Sequence, residues 1–563
     1  MESGAPFFWM NGILATDLVE LSSDPNRIES GGFWAIAITF EGAYQFARFS
    51  TVTRGAQFPR TAPWEPLQTV WRSSLDKEQY YQYVENIREK IAIGGVYQAN
   101  ACRILSTEYS GNSLDSLFAQ LLKDNAAPYA SYLRLPDLEI ASATPELFLK
   151  RENDFITTSP IKGSKNISSG QLFGEKDKAE NIMIVDLMRN DLSRVCEIGT
   201  IEVTDFLRTE RHPGIEHLVS DISGQLQSES TWSEIFQSLL PAGSVSGAPK
   251  SSALQIIKSN EPEPREYYCG LIGYIEENKA LLGLAIRTFW LKEQKIHFGA
   301  GAGITWPSDS HQEWRETQLK ANRLIGIAGG VDEEGWQFGT GVFETLLVAE
   351  GRPLFFDRHM ERAELAGGQL QIPIAPRNQV MEMIAREPLT PMARLRLSFG
   401  SHFSLFISPY IRDSEPIRLR IVESRSAGVG ERKKFPYWEN LDLLRSAGLQ
   451  GFDEILLVDE SGRVGEGATC TYLFHLNGEW LTPPLEVGVL PGIMRRVALD
   501  LGLATESVLL LDQLEFVDSI LALSSLRICT SVSQIEERGL LVDGSAEEFF
   551  QKLWRAGQSD SVD

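Results

Sequence analysis

Apolar and polar residues alternate densely near the start of the chain. GFWAIAITFEGAYQFARFS, residues 32–50, has the two-residue period of strands and predicts a hairpin turning near Glu41-Gly42. The period then lengthens: residues 77–93 put Tyr80, Tyr83, Ile87 and Ile91 at helical spacing, which predicts an amphipathic helix. Strands are expected again around 128–158. Helices are expected over about 176–195, which includes ENIMIVDLMRNDLSRV, and over 311–328, HQEWRETQLKANRLIGIA. Directly after comes AGGVDEEGWQFG, a Gly-rich and acidic stretch that reads as a boundary near residue 330. It separates residues 1–329 from residues 330–563. Mixed strands and helices resume at Val342 and run to about residue 556, and the polar end, GQSDSVD, is expected to fray.

Composition agrees with more than one folded domain. The chain has 563 residues, 43% hydrophobic and 23% charged, too long for a single ordinary core and balanced as in folded soluble proteins. Its net charge of −23 attracts no polyanion, so neither nucleic acid nor an anionic membrane is an expected partner. A small anionic substrate stays compatible, because a site needs only local positive charge. Cys102, Cys196, Cys269, Cys470 and Cys529 are widely spaced, with no CxxC pair. That pattern predicts free thiols and a cytoplasmic location rather than a disulfide framework. The start, MESGAPFFWMNG, lacks the basic and apolar regions of a signal peptide. No apolar run approaches the roughly 20 residues a membrane helix needs.

Some chemistry is visible in the residue types and their spacing alone. Glu313 and Glu316 stand at i and i+3, so both carboxylates project from one helix face. Glu180 lies near the start of another helix. Three carboxylates suit Mg²⁺, a hard cation that prefers oxygen ligands; alone, such glutamates ordinarily describe a solvated surface. Backbone amides in GAGAGI and GSVSGAPK can approach an anion where glycine leaves room, although a lone Gly-rich run is usually a turn.

Ten short segments of the front half occur in order: VYQANACR (96–103), TPELFL (144–149), SPIKGS (159–164), AENIMIVDLMRND (179–191), HLVS (217–220), AGSVSGAPK (242–250), CGLIGY (269–274), AIRT (285–288), GAGAGI (299–304) and EWRET (313–317). Together they resemble the chorismate-binding family, which includes anthranilate, aminodeoxychorismate, isochorismate and salicylate synthases. The resemblance covers about residues 70–328 and implies a two-sheet α/β sandwich. It also implies that Mg²⁺ on Glu180, Glu313 and Glu316 meets the ring carboxylate of chorismate. Arg287 would pair with a carboxylate, and Lys250, Gly247, Tyr274, Gly301 and Gly303 fall at substrate-site positions. His217 resembles the histidine facing the leaving hydroxyl, and Glu146 the general acid/base.

Two positions discriminate within the family. Water-using members place a lysine base where this chain has Gln98; ammonia needs no such activation, so Gln98 implies amination. Anthranilate synthases carry a small residue where SPIKGS has Lys162. Aminodeoxychorismate synthases carry the lysine, which attacks the ring at C2 before ammonia adds at C4. Such a lysine must be unprotonated, which burial or a neighbouring cation favours.

In the rear half, GVFETLLV (341–348), FFDRHMERAELAG (355–367), GFDEILLVDESGRVGEGATCTYLF (451–474), LTPPLEVGVLPGIMRR (481–496) and LEFVDSILALSSLRICTSV (514–532) resemble fold-type IV pyridoxal-phosphate (PLP) enzymes. That family includes class IV aminotransferases and aminodeoxychorismate lyase. The resemblance gives the chain an α+β fold class overall and implies PLP as cofactor. Glu466 would face the pyridine nitrogen. Arg362, the backbone of Ile493 and Met494, and Ser525 would hold the phosphate at a helix start near Pro491-Gly492. Counting back from Asp453-Glu454 places the cofactor lysine at Lys433. The neighbouring Lys434 would point elsewhere from a strand, but Lys434 and Pro436 depart from the family pattern, so both lysines stay open.

No G-x-C-x-G glutaminase elbow is found in the sequence. Ammonia is therefore expected free or from a separate glutamine amidotransferase subunit, and a homodimer through the rear half is expected from the family. Three readings follow. The first is a synthase–lyase fusion making p-aminobenzoate for folate. The second is an anthranilate-type synthase fused to a class IV aminotransferase. The third is a rear domain that keeps the fold and only binds a partner.

Overall fold

The computed structural model describes residues 4–166, 173–212, 215–387, 390–430 and 432–559. It divides into two compact units, Met1–Glu333 and Glu334–Asp563. The Gly-rich stretch after the helix Ser310–Ala328 is itself a strand, Gly329–Val331, paired in parallel with Leu67–Val70 of the first unit. This pairing ties the start of the expected boundary segment to the front half.

The first unit is a mixed α/β fold in which, among the described residues, 18 strands join in one hydrogen-bonded network and the Leu67–Val70 and Gly329–Val331 pair forms a sheet of its own. The expected hairpin forms from Phe33–Ile38 and Tyr44–Arg54, which pair antiparallel. The expected amphipathic helix is Lys77–Ala92, with Tyr80, Tyr83, Val84 and Ile87 buried and Asp76 completing a capping box with Gln79. Two elements build the floor of the site. Strand Gln98–Glu108 pairs antiparallel with Lys295–Ile304 over ten residue pairs, setting Gly301 opposite Cys102 and Gly303 opposite Asn100. Helix Ser310–Ala328 packs on the Lys295–Ile304 strand, with Trp314 against a cluster that includes Ala99, Ala101 and Ala302. Asp309 caps that helix by accepting from the amides of His311 and Gln312.

The second unit has a five-stranded and an eight-stranded sheet. In the first, Gly341–Ala349 pairs antiparallel with Met392–Phe399 and with the short strand Lys434–Phe435. Helix Phe356–Leu370 covers the Gly341–Ala349 strand, burying Met360, Ala363 and Ala366 in one cluster with Val342, Leu346 and Leu395. A helix begins at Ile493 with Gly492 as its N-cap, where the sequence placed one. The last helix, Ser545–Ser559, takes in the first three residues of the polar tail. The remaining four lie outside the described residues. No helix among the described residues is long and apolar enough to cross a membrane. All five cysteines are buried free thiols.

Candidate functional sites

Lys162 owes its position to an irregular ladder. Strand Ile161–Asn166 pairs with Ile215–Gln225 at Ile161↔Val219 and again at Ser164↔His217, with the register slipping between them. Such a bulge re-aims a side chain. Gly163 sits at φ +83°, and a Cβ there would stand 2.9 Å from the Asp177 Cβ, so the Lys-Gly pair meets a backbone requirement as well as a chemical one. Helix Glu175–Leu192 lies over these strands and carries Glu180.

A cavity of about 460 Å³ opens between these elements and the floor strands. Glu146, Lys162, Glu180, His217, Arg287, Gly301, Gly303, Glu313 and Glu316 all line it, although they come from seven segments of the chain. Burial lowers the pKa of Lys162, as does the charge of Lys320, against the pull of Glu180, Glu146 and Glu316. Burial raises the Glu146 carboxyl to about 7, opposed by a 3.0 Å hydrogen bond donated by Ser244 Oγ and by the charge of Lys162. A carboxyl raised to about 7 and an amine pushed toward neutrality therefore line one cavity.

Four expected residues are placed otherwise. Lys250 does not line the cavity: its Nζ donates to Asp191 Oδ2 at 2.6 Å and to the Leu239 carbonyl at 3.4 Å. Tyr274 also lies off the cavity wall and stacks on Phe33 with ring centres 5.2 Å apart. Gly247, at φ +143°, brings its backbone against the Gln98 strand; a Cβ there would meet the Gln98 carbonyl oxygen at 2.2 Å. Gln98 is buried beneath Gly303, with Nε2 2.4 Å from where a Gly303 Cβ would stand. Its Oε1 has no hydrogen-bond partner among the described residues.

Glu180, Glu313 and Glu316 form the hard-oxygen donor set that Mg²⁺ takes, and their convergence on one cavity fits that ion. They are not drawn together as they stand. No group of three His, Cys, Asp or Glu side chains among the described residues is close enough to hold a metal, and Glu316 is paired at 2.6 Å with Lys320. Lys320 and Ser244 were not singled out from the sequence. Lys320 stands one helical turn after Glu316 and also donates to the Gly301 carbonyl at 2.9 Å. That spacing was its available signal. Ser244 was hidden in a segment read for its glycines.

The rear cavity, about 390 Å³, is lined by Lys433, Glu466, Arg362, Ile493, Met494 and Ser525. The Phe343 amide donates to the Lys433 carbonyl at 3.0 Å, and Val342 pairs with Lys434. Successive strand residues face opposite ways: Lys433 lines the cavity and Lys434 is exposed. Burial lowers the Lys433 pKa to about 7. Glu466 is raised to about 8 by burial, although its Oε1 accepts from the amides of Leu490 at 2.7 Å and Val429 at 2.9 Å. Arg362 donates from Nε and Nη2 to the buried Glu344, at 2.8 and 2.6 Å, and from Nη1 to the Pro491 carbonyl. An amine, a carboxyl and an arginine beside a helix start are the parts that PLP requires. Their convergence here fits that cofactor.

Residues 41–326 match the chorismate binding enzyme family, and residues 341–535 match amino-transferase class IV. The front half is 36% identical over 283 residues to anthranilate synthase component 1 of Aquifex aeolicus, covering 48% of this chain and 57% of that protein. It is also 36% identical over 270 residues to aminodeoxychorismate synthase component 1 of Escherichia coli, covering 46% and 59%. The chain thus spans under two thirds of the length of these relatives. Among solved structures, the menaquinone-specific isochorismate synthase of Escherichia coli superposes with a TM-score of 0.52 at 18% identity, over 58% of this chain and 90% of that one; at that identity the likeness concerns the fold. With residues 41–326 matched, the chain belongs to the chorismate-binding enzyme family, and an amino-transferase class IV domain follows.

Proposed function

We propose that the chain makes p-aminobenzoate in two steps, aminating chorismate to 4-amino-4-deoxychorismate in the front cavity and removing pyruvate in the rear one. The observation that carries the first step is Lys162 beside Glu146 in one cavity, its amine pushed toward the unprotonated state. Lys162 Nζ attacks ring C2 as the C4–oxygen bond breaks. Glu146, protonated below about pH 7, gives its proton to the departing hydroxyl, which leaves as water with His217 facing it. Ammonia then bonds to C4, and the C2–nitrogen bond breaks to release Lys162. Arg287 would hold a substrate carboxylate. Glu180, Glu313 and Glu316 would hold Mg²⁺, which neutralises the ring carboxylate when bound. We assign the ammonia supply to a separate glutamine amidotransferase.

In the rear cavity Lys433 would hold the cofactor, Glu466 its ring nitrogen, and Arg362, Ser525 and the amides of Ile493 and Met494 its phosphate. PLP, when bound, supplies the electron sink. Lys433 Nζ, with a pKa near 7, takes a ring proton. The ring C3–oxygen bond breaks as the C4 proton is removed, which makes the ring aromatic, and the departing enolpyruvate takes a proton at its methylene carbon to become pyruvate.

The deciding experiment feeds chorismate, ammonium, Mg²⁺ and PLP to the full chain and weighs the products. p-Aminobenzoate with pyruvate supports both steps. Accumulating aminodeoxychorismate removes the second. Anthranilate, the alternative that an equally identical relative keeps open, removes the first.

A further inference from the structure

The rear cavity wall carries arginines beyond Arg362, and their engagements differ. Arg394 Nε donates to Ser408 Oγ at 3.1 Å. Arg396 lies 3.6 Å over the Trp336 ring and donates to the Glu334 carbonyl at 3.0 Å. Arg362 is gripped by Glu344 and Pro491. Arg527 lines the same cavity, but its Nη1 is buried and has no hydrogen-bond partner among the described residues. A buried guanidinium nitrogen left without an acceptor is costly, so a fold that keeps one against a cavity invites an anion to complete it.

The backbone fixes where Arg527 sits. Its amide donates to Ser524 Oγ at 3.1 Å, and its carbonyl accepts from Arg412 Nε at 3.4 Å. The segment Tyr410–Arg412 therefore lies against it. Ile411 of that segment lines the cavity and is 89% exposed, which makes this side the cavity mouth. The Arg362–Pro491 contact and the helix start at Ile493, which come from other segments of the chain, line the same cavity and suit the cofactor phosphate. Part of the lining is aromatic. Trp336, Phe343 and Tyr437 pack together with ring centres 4.9 to 6.0 Å apart, and Lys433 Nζ lies 5.0 Å from the centre of the Phe343 ring. A substrate that presents its amine at Lys433 meets this flat apolar surface first, and a planar ring covers it well.

We infer that Arg527 is the specificity-determining residue of the rear cavity, a fork that takes one carboxylate of a ring-bearing dicarboxylate seated against the Trp336–Phe343–Tyr437 wall. Guanidinium geometry matches a carboxylate through two parallel hydrogen bonds, which an ammonium does not reproduce. This rests on the rear-domain reading above, whose substrate is itself a cyclic dicarboxylate, and adds the residue of this chain that selects it over a monocarboxylate or an aliphatic amino acid.

The test uses the full chain loaded with PLP. It is titrated with 3-(carboxymethoxy)benzoate, a stable ring dicarboxylate, and with 3-methoxybenzoate, its monocarboxylate counterpart. Binding is followed by the visible band of PLP, a signal confined to the rear cavity. In the unsubstituted chain the dicarboxylate binds more tightly than the monocarboxylate. Arg527→Gln weakens the dicarboxylate by about 10- to 100-fold, leaves the monocarboxylate nearly unchanged and retains PLP. Arg527→Lys restores only part of the difference. If Arg527→Gln keeps the discrimination, the inference is wrong. If it sheds PLP instead, Arg527 serves the cofactor phosphate and the inference is again wrong. A parent chain with no PLP band overturns the rear-domain reading itself, and this inference with it.

Discussion

Phe343 and Lys433 are joined twice: the Phe343 amide donates to the Lys433 carbonyl at 3.0 Å, and the lysine ammonium stands 5.0 Å from the centre of the Phe343 ring. The ladder that makes the first contact also turns Lys434 out to solvent. Lys433→Ala should abolish the visible band of bound PLP and p-aminobenzoate formation together. Lys434→Ala should leave both within about twofold, as expected of a surface change away from structural features. Absorbance spectra of the two purified variants decide this, and loss of the band in Lys434→Ala alone would reverse the assignment.

Ser244 and Glu146 set the pH behaviour of the front cavity. Burial holds the Glu146 carboxyl at about 7, above its ordinary 4.5. As a proton donor it is spent above that pH, so the kcat/KM for chorismate amination should fall with a midpoint near 7. The Ser244 hydrogen bond favours the charged form. Ser244→Ala should therefore move the midpoint upward, and a downward shift would contradict the assignment. The linkage has a matching sign. Between pH 4.5 and about 7 the folded state binds the extra proton, so this contribution to stability is present at low pH and lost as pH rises. Glu146→Gln removes that dependence, on the order of 3 kcal/mol across the window, in denaturant titrations at both ends.

What could be read in advance follows the range of the interactions. Glu146, Lys162, Glu313 and Glu316 sit in short segments whose local pattern survives folding, and the cavity gathers them. Lys250 and Tyr274 sit in equally recognisable segments, but their partners are Asp191 and Phe33, 59 and 241 positions away in the chain. Only tertiary structure makes those pairings. Lys320 reads as an ordinary helix-surface lysine until the strand bearing Gly301 is laid beneath it. Arg527 reads as a loop arginine until the segment Tyr410–Arg412 packs against it. Helix and strand periods are legible where they are strongest, as at residues 32–50, 77–93 and 311–328, because burial alternates on each element's own repeat; the rear half reads only as mixed strands and helices. Register slips such as the one at Lys162-Gly163 leave no periodic trace.

Gly247 offers a test of the front floor that touches no reacting atom. At φ +143° it lies where side chains rarely go, and a Cβ would reach 2.2 Å from the Gln98 carbonyl oxygen and 2.9 Å from the Ala99 Cα. Gly247→Ala should displace the start of the Gln98 strand and cost at least about 1–3 kcal/mol, with amination lost alongside. Gly199, at φ +84° with nothing within 4 Å of its Cβ position, is the control. Gly199→Ala should cost only the backbone strain, about 1–2 kcal/mol, and leave amination intact. Equal thermal shifts for the two variants would show that the contact with Gln98 does not matter.

Glu344 is the charge on which the rear domain turns. It is fully buried, accepts two hydrogen bonds from Arg362, and contacts His359 Nδ1 at 2.6 Å. Burial alone would raise its pKa, but the Arg362 charge and the His359 contact hold it well below the ordinary carboxylate range. Burial lowers His359 to about 4, so at neutral pH the trio is Glu344 negative, His359 neutral and Arg362 positive. Glu344→Gln leaves the Arg362 charge buried without its partner, which costs about 3–5 kcal/mol. The melting transition of the rear unit, followed by calorimetry, should carry that loss. Glu344→Gln with Arg362→Met should recover part of it, because no lone charge then remains. Acid acts on the same trio through His359. Its folded pKa is below the ordinary 6.5, so the unfolded chain binds the proton first, and this contribution to stability drains as pH falls from 6.5 to about 4. His359→Gln should flatten that acid loss. An unchanged slope in the variant would assign the acid sensitivity elsewhere.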